Sequence, residues 1–397
     1  MLLTTIGEAF EINPQVRIPK GTEVPFVSMD QVVPGQRNVS ATEKRLFKGG
    51  SKFEHGDTLM ARITPCLENK KIAQYLPPNH ASPSAGSTEF IVIRGKNGVS
   101  ITPFAYYFVQ SPDIHELAIS LMIGTSGRQR VDTEAFRMSE IWLPNLTTQE
   151  KIVKVLGSLD DKIAVNNRII ETADCLVDAL YHQVKKLPPN STFGEEFEIY
   201  GGATPSTKND EFWGGDIFWA TPTDITALNG PWLLNTSRTI THSGLKATSS
   251  ILHPENAILM TSRATIGKTA LASTPITTNQ GFIVIHAPKD LVPWLFSQLR
   301  NRTHEFESWA NGATFLELPR GVFKTLPFIR CDKDQLAKFN ATAWPLLKHI
   351  EATQQENQTL ARTRDELLPL LMSGKITVRD AEEASAEVGV DKHEAEE

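Results

Sequence analysis

Apolar positions along this 397-residue chain follow two alternating rhythms. Between Thr147 and Lys186, the residues Ile152, Leu156, Leu159, Ile163, Asn166, Ile170, Ala173, Val177, Leu180 and Val184 step by four and three without a break. A seven-residue repeat of this kind keeps one helical stripe facing one partner, which is the mark of a coiled coil. Thr147 or Thr148 with Glu150 supplies a capping arrangement at the start, and Pro188 and Pro189 supply a stop. An amphipathic helix laid on one globular core would carry a similar stripe, but about forty helical residues extend ~60 Å, more than one small domain covers. A second such stretch runs from Asp332 to Ser373, with Leu347, Ile350, Leu360, Leu367, Leu368 and Leu371 as its apolar stripe and a more polar middle at Thr353, Gln354, Gln355 and Asn357. Pro345 should kink or restart this helix, because proline removes a backbone bond and clashes with the preceding turn; Gly374 should end it. Two helices of matching length, separated by a globular segment, are placed to pair antiparallel, with Asn166, Gln354 and Asn357 setting register rather than adding stability.

The other rhythm is that of short strands. Runs such as TEFIVIR, DIFWAT and AILMTS are bounded by Gly, Pro, Asn and Asp, with helical interruptions at 103–111 and 293–306. These segments repeat in order. HGDTLMARITP (55–65), STEFIVI (87–93), GTSGRQR (124–130) and a long helix in the first half answer to PENAILMTSRATIGK (254–268), TNQGFIVI (278–285), NGATFLELPRG (311–321) and a long helix in the second. Four features in one order point to two similar α+β units of about 140 residues. The segment QYLPPNHASPSAG (74–86) is longer in the first unit and reads as a surface loop.

Composition adds exclusions. No apolar run reaches the roughly 18 residues a membrane span needs, and the start MLLTTIGEAFEINPQ lacks a basic leader and a long apolar core, so a signal peptide is not expected. Cys66, Cys175 and Cys331 lie far apart without a CxxC pair, arguing for a reducing compartment, a cytoplasmic location and no structural zinc. The net charge of −6 at first speaks against DNA, yet eight acidic and three basic residues between Gly374 and Glu397 carry −5 of it. That Ala- and Glu-rich tail is expected to be frayed or disordered, leaving a near-neutral body that can bind DNA where its cations share a face.

Several stretches then carry a family resemblance. GGATPSTKNDEFWGGDIFWATPTDIT (201–226), LMTSRATIGKTAL (259–271), LPNLTTQEKIVKVLGSLDDKI (143–163) and DELLPLLMSGKITV (365–378) are similar to the specificity subunit of type I restriction-modification systems. The likeness runs nearly to Val378. Leu2–Val33 departs from it, and TPCLENKKIA (64–73) stands where the second unit has TIGKTALA. The resemblance implies an α+β protein of two globular target recognition domains in pseudo-two-fold repeat (1–146 and 188–330), separated by two long helices (147–187 and 331–374) that pair as an antiparallel coiled coil, with residues 375–397 as the acidic tail. It implies that each domain reads one half of a split, asymmetric target in double-stranded DNA. The paired helices would keep the halves at fixed spacing and dock two methyltransferase (modification) subunits. Restriction and translocase subunits would join them, and S-adenosylmethionine, ATP and Mg2+ would sit on those partners, with no cofactor, metal or catalytic residue on this chain and no contact with a membrane. Helix pairing and the partner interface would fall to Ile152, Leu156, Leu159, Ile163, Asn166, Ile170, Val177, Leu180, Leu347, Ile350, Leu360, Leu367 and Leu371.

Candidate DNA contacts are cations in loops and strand ends. Arg128, Gln129 and Arg130 suit guanine, adenine and phosphate; Arg320 is the basic candidate in the matching loop of the second half. Arg263 and Lys268 flank the second central turn, and Arg62, Lys70 and Lys71 the first. Lys44, Arg45, Lys48 and Lys52 form a basic run suited to phosphates. A solvated surface is the plain alternative for each. SRATIGKT (262–269) is one residue short of a nucleotide-binding GxxxxGK[ST] loop, with Ser262 in place of the first glycine; a strand-end turn is the simpler expectation. Neither an NPPY-type methyltransferase motif nor a nuclease core is visible. The competing functions are a coiled-coil scaffold whose globular units bind protein, and an unrecognised ATPase or nuclease.

Overall fold

Both heptad stretches fold as long helices, Leu146–Gln183 and Lys333–Met372. The computed structural model describes residues 1–77, 83–125, 127–312 and 316–390. It divides into two units, Met1–Val165 with Gln358–Glu397, and Asn166–Asn357, so each long helix contributes one part of its length to each unit. The first helix is capped two or three residues earlier than Thr147 or Thr148 would place it: Asn145 Oδ1 accepts from Thr148 N at 2.9 Å. The second runs through Pro345 unbroken, against the expected restart. It ends where Gly374 adopts a φ of +70° and Lys375 N donates to Leu370 O at 2.9 Å, a left-handed C-terminal turn that glycine adopts without a Cβ penalty.

In the first unit a five-stranded sheet has the order Phe10–Ile12, Phe90–Gly95, Thr58–Ala61, Ile72–Tyr75, Asn38–Val39. A smaller sheet has the order Glu43–Leu46, Glu23–Val27, Ser84–Gly86, Ser51–Phe53. Residues 74–86 are thus less of a loop than their composition suggests. Tyr75 and Ser84–Gly86 are buried strand residues, and Tyr75 Oη lies 2.6 Å from Ser84 Oγ; residues 78–82 of that segment lie outside those described.

The second unit repeats the plan in its own sheet, ordered Glu198–Gly201, Phe282–His286, Ile258–Thr261, Thr269–Ala272, Trp232–Leu233, beside Thr239–Ile240, Trp213–Ala220, Ile276–Thr278. Register repeats as well. Phe90 and Ile91 face Ala61 and Met60; Phe282 and Ile283 face Thr261 and Met260. Because side chains alternate along a strand, equal register places equivalent residues on the same sheet face. A repeat overlooked in the opening segment joins these. TTIGEAFEI (4–12) and STFGEEFEI (191–199) each form a one-turn helix with a capping box, Thr5 with Glu8 and Thr192 with Glu195.

The long helices complete each core. In the first unit Ile152, Leu156 and Leu159 bury together with Leu360, Leu367, Leu368 and Leu371. In the second, Ile170, Ala173, Val177 and Tyr181 bury with Phe339, Ala343, Leu347 and Ile350. The seam slips by one residue at its end, since Tyr181, its ring 4.8 Å from that of Trp294, is buried where Leu180 is only half-buried.

Pairs step in opposite directions along the two helices of the second unit. Asn166 Nδ2 donates to Glu356 Oε2 (2.7 Å) and Asn357 Oδ1 (2.9 Å), whereas Lys185 N donates to Gln335 Oε1 (3.0 Å). Asn166 and Asn357 therefore set an antiparallel register as expected. Gln354 does not pair with the other helix: its amide brackets the main chain of Trp232, accepting from N (3.2 Å) and donating to O (3.1 Å).

Beyond Gly374 the acidic tail is ordered through its first part, contrary to expectation. Val378–Glu387 is a helix begun by a Thr377–Asp380 capping box, and Ala381 is fully buried in the first unit's core with Ala384, Val388 and Val390 against it. Ala381 and Ala384 within the helix, Val388 and Val390 just after it, and a cap at its start anchor a segment whose composition alone suggested no order. Residues 391–397 lie outside those described.

Two buried polar groups generate predictions. In the first unit Arg364 Nη1 donates to Asp160 Oδ1 (2.6 Å) and Tyr107 Oη to Asp160 Oδ2 (2.7 Å), with both charges nearly inaccessible. Burial disfavours the Arg364 cation, but Asp160 and Asp365 outweigh it and hold the guanidinium pKa above its usual value. Arg364→Ala strands the Asp160 carboxylate and is expected to cost about 3–5 kcal/mol in chemical denaturation. Adding Asp160→Leu should recover part of that loss, and a cost below ~1 kcal/mol for Arg364→Ala would contradict the assignment.

In the second unit, fully buried His253 places Nδ1 3.0 Å from His286 Nε2; burial first, and the His286 charge second, push its pKa down to about 4. The fold keeps this ring neutral, so its contribution is whole above the unfolded value near 6.5 and is lost as pH falls from there toward 4. Thermal unfolding should lose stability across that window, less steeply in His253→Gln. An equal slope in both proteins would assign the acid sensitivity elsewhere.

Candidate nucleic-acid interface

At the centre of each five-stranded sheet a hairpin turns over and meets a loop returning from the far end of its unit. In the first unit the turn between Ala61 and Ile72 is met by the segment before the short helix Thr133–Met138. Val131 N donates to Arg62 O (2.8 Å), Thr64 N to Gln129 O (3.0 Å) and Gln129 N to Thr64 Oγ1 (3.1 Å). On this backbone staple Arg130 forks onto Glu89: Nε lies 3.1 and 3.0 Å from the two carboxylate oxygens and Nη2 2.7 Å from Oε1. The Arg130 hydrogen bonds first, then the charges of Arg130 and Arg62, hold Glu89 below the usual carboxylate range. Arg62 Nε is buried without a hydrogen-bond partner among the described residues. The central turn and the SGRQR loop, 65 residues apart in sequence where they meet, thus form one arginine-rich junction; Ser126 of that loop lies outside the described residues.

The second unit rebuilds the junction with its charges at other positions. Leu318 N donates to Ser262 O (2.9 Å) and Ala264 N to Leu316 O (3.3 Å), the same two backbone bonds. Ser262 N donates to Gly281 O as Arg62 N does to Glu89 O, so Gly281 stands where the first unit has Glu89. The acid has moved to Glu317 on the returning loop and the base to Arg263 on the turn, with Nε and Oε2 3.0 Å apart. SRATIGKT is here a strand–turn–strand. Gly267 N donates to Thr261 O (2.9 Å) and Lys268 N to Thr261 Oγ1 (3.1 Å); a phosphate cradle needs those amides free at a helix start. The nucleotide-loop alternative is set aside on that geometry. Residues 313–315 of the returning loop lie outside those described.

The remaining candidates are dispersed. Arg128 is exposed beside the first junction. Arg320 is exposed, its Nη1 over the backbone of Gly201. Lys44 and Arg45 lie on a wholly exposed edge strand of the small sheet, where Arg45 stacks on Phe26 (4.2 Å) and pairs with Glu43; Lys48 is exposed and Lys52 half-buried. Lys71 Nζ donates to Met29 O (2.8 Å), so it is engaged by its own fold. Lys70 lines a cavity of about 480 Å³ with Tyr106, Arg364 and Asp365. Lys268 lines one of about 330 Å³ with Asp174, Arg300 and Thr303. Neither cavity is lined by Arg130, Arg263 or Arg320.

One cation escaped the sequence. Arg238 lies 3.5 Å over the ring of Trp213, which meets Trp219 edge-on at 5.0 Å. This exposed arginine on an aromatic platform is the second unit's answer to Arg45 on Phe26, on the corresponding small sheet. The density of tryptophan in EFWGGDIFW was the available signal, but its partner lies about 20 residues further on.

Comparison with known proteins converges on one family. The family model for the type I restriction modification DNA specificity domain matches residues 67–173 and 190–329, more than half of the chain. The MjaIX specificity subunit of Methanocaldococcus jannaschii is 35% identical over 174 residues, 43% of this chain and 40% of that protein. The EcoAI specificity subunit of Escherichia coli is 29% identical over 155 residues, 26% of its length, so the chain spans well under two thirds of either relative. The HindI specificity subunit of Haemophilus influenzae is 21% identical over 372 residues, 73% of this chain and 81% of that one. The crystal structure of a type I restriction-modification S subunit from M. genitalium superposes with a TM-score of 0.50 at 14% identity, covering 93% of this chain and 95% of that one, which establishes a shared fold.

Proposed function

The chain belongs to the family of the type I restriction modification DNA specificity domain, and from that premise we propose that it is the sequence-reading subunit of a type I restriction-modification complex. It reads double-stranded DNA, one unit to each half of a split target, and has no catalytic role. Because the two junctions differ in sequence, the target is asymmetric. Two methyltransferase subunits and the restriction and translocase subunits supply the chemistry, with S-adenosylmethionine, ATP and Mg2+ bound on them. No described helix is long and apolar enough to cross a membrane, and a subunit that reads genomic DNA works in the cytoplasm.

One observation carries this proposal: two units of the same topology each hold an arginine at the same hairpin–loop junction, Arg130 in one and Arg263 in the other, within different local sequences. A constant frame with variable side chains at one place is what a family of sequence readers needs. Arginine at such a place forms bidentate bonds with guanine O6 and N7, and glutamine with adenine, which gives Arg130, Gln129 and Arg263 their roles. Arg128, Arg320, Lys44, Arg45, Lys48, Lys52 and Arg238 are suited to phosphates, which position the protein without specifying sequence.

The test is selection of random duplex DNA by the complex assembled with its methyltransferase subunits. Enrichment of a two-part motif is expected. Arg130→Ala should relax one position of one half and Arg263→Ala one position of the other, each by about 10- to 100-fold. Selection of no motif by the wild-type complex would overturn the assignment.

A further inference from the structure

Each of the two arginines has a carboxylate of its own unit beside it, and in both the carboxylate lies on the Nε side. Glu89 hydrogen-bonds Arg130 through Nε and Nη2, whereas Glu317 Oε2 lies 3.0 Å from Arg263 Nε as an ion pair without a hydrogen bond. A guanidinium offers two edges for paired hydrogen bonds. In Arg130, occupying the Nε edge leaves the terminal edge, Nη1 with Nη2, for other acceptors, and that edge matches the two acceptors of guanine. The loops do not need these ion pairs as staples, since two backbone bonds fix each junction independently. Nor are the pairs buried: side-chain exposure is 43% for Arg130 and 24% for Glu89, 42% for Arg263 and 39% for Glu317. Pairs this accessible add little to stability. What recurs in the two units is a carboxylate beside an arginine at the junction, with the acid before a strand in the first unit and on the returning loop in the second.

We propose that Glu89 and Glu317 are positioning residues for base recognition, Glu89 through hydrogen bonds to the Nε edge of Arg130 and Glu317 through its charge beside Arg263 Nε, so that the terminal edge of each arginine is presented in one orientation to a guanine. The clamp acts in two ways. It removes rotamer freedom from a long side chain before binding, and ordering such a side chain at an interface is otherwise a cost of association. It also sets a negative charge beside the arginine, which disfavours a slide of that arginine onto the phosphate backbone. A clamped arginine therefore discriminates among bases, whereas a free one binds any duplex.

This inference rests on the proposed DNA reading, and its test separates the two. In the complex assembled with methyltransferase subunits, affinity is measured for the selected duplex, for its single-position base variants and for random duplex. Glu89→Gln should lower the preference at one position of one half by roughly tenfold or more, leave the other half unchanged, and keep or raise affinity for random duplex. Glu317→Gln should do the same in the other half. Glu89→Asp, which keeps the charge, should restore part of the preference, and Arg130→Ala combined with Glu89→Gln should lose no more than Arg130→Ala alone. Should Glu89→Gln fail to assemble, Glu317→Gln, whose carboxylate is the more exposed, carries the test. A wild-type motif with base preferences unchanged in both variants overturns the clamp while leaving DNA reading intact; no wild-type motif at all overturns DNA reading itself.

Discussion

The first unit cannot close its hydrophobic core without a helix segment that follows the whole second unit in sequence, and the second closes its own with parts of both long helices. The first unit buries Leu360, Leu367, Leu368 and Leu371, which follow the whole second unit in sequence; the second buries Ile170, Ala173, Val177 and Tyr181, which continue the helix that begins in the first. At roughly 1.5–3 kcal/mol for each large apolar side chain removed from water, these shared segments are a substantial part of what folds each unit. The long helices are therefore structural members of both units rather than linkers.

That sharing explains where polar residues are tolerated inside. Asn166 with Asn357, and Asp160 with Arg364, lie in stretches of helix where slippage by a turn would strand a buried amide or charge. Such groups contribute less to stability than to the choice of one register among several. Tyr107 strengthens the same choice: burial raises its pKa well above the usual phenol range, so it remains a donor to Asp160. With register fixed in this way, the sheets, hairpins and returning loops are free to vary in sequence without disturbing the helices they stand on.

The helices, their seam and the repeat order were legible because each is written in local period: the four-three steps, the FIVI strands, the Gly374 stop. What escaped depended on tertiary partners. Asn145 replaced Thr147 and Thr148 as the cap because its side chain, two and three residues earlier, reached the free amide of Thr148. Pro345 sits inside an unbroken helix whose flanks, Ala343 and Leu347, are buried in the core. Gln354 looked like a helix-pairing residue but hydrogen-bonds the main chain of a strand 122 residues earlier in sequence. At the candidate interface Arg130 and Arg263 were visible as cations, yet Glu89 and Glu317 were not, since an acid becomes a clamp only when a strand pairing brings it to an arginine. Lys71 carried the right charge in the right motif, but the fold bonds its ammonium to Met29 O.

If the helices hold the frame and each unit reads independently upon it, exchanging one reader should leave the other untouched. The direct measurement replaces residues 188–330 with the matching segment of another specificity protein of known target, leaving both long helices in place, and maps the adenines methylated by the assembled complex. The account predicts that one half of the recognised sequence changes to that of the donor while the other half stays. A change in both halves, or a complex that no longer assembles although both helices are intact, would contradict it.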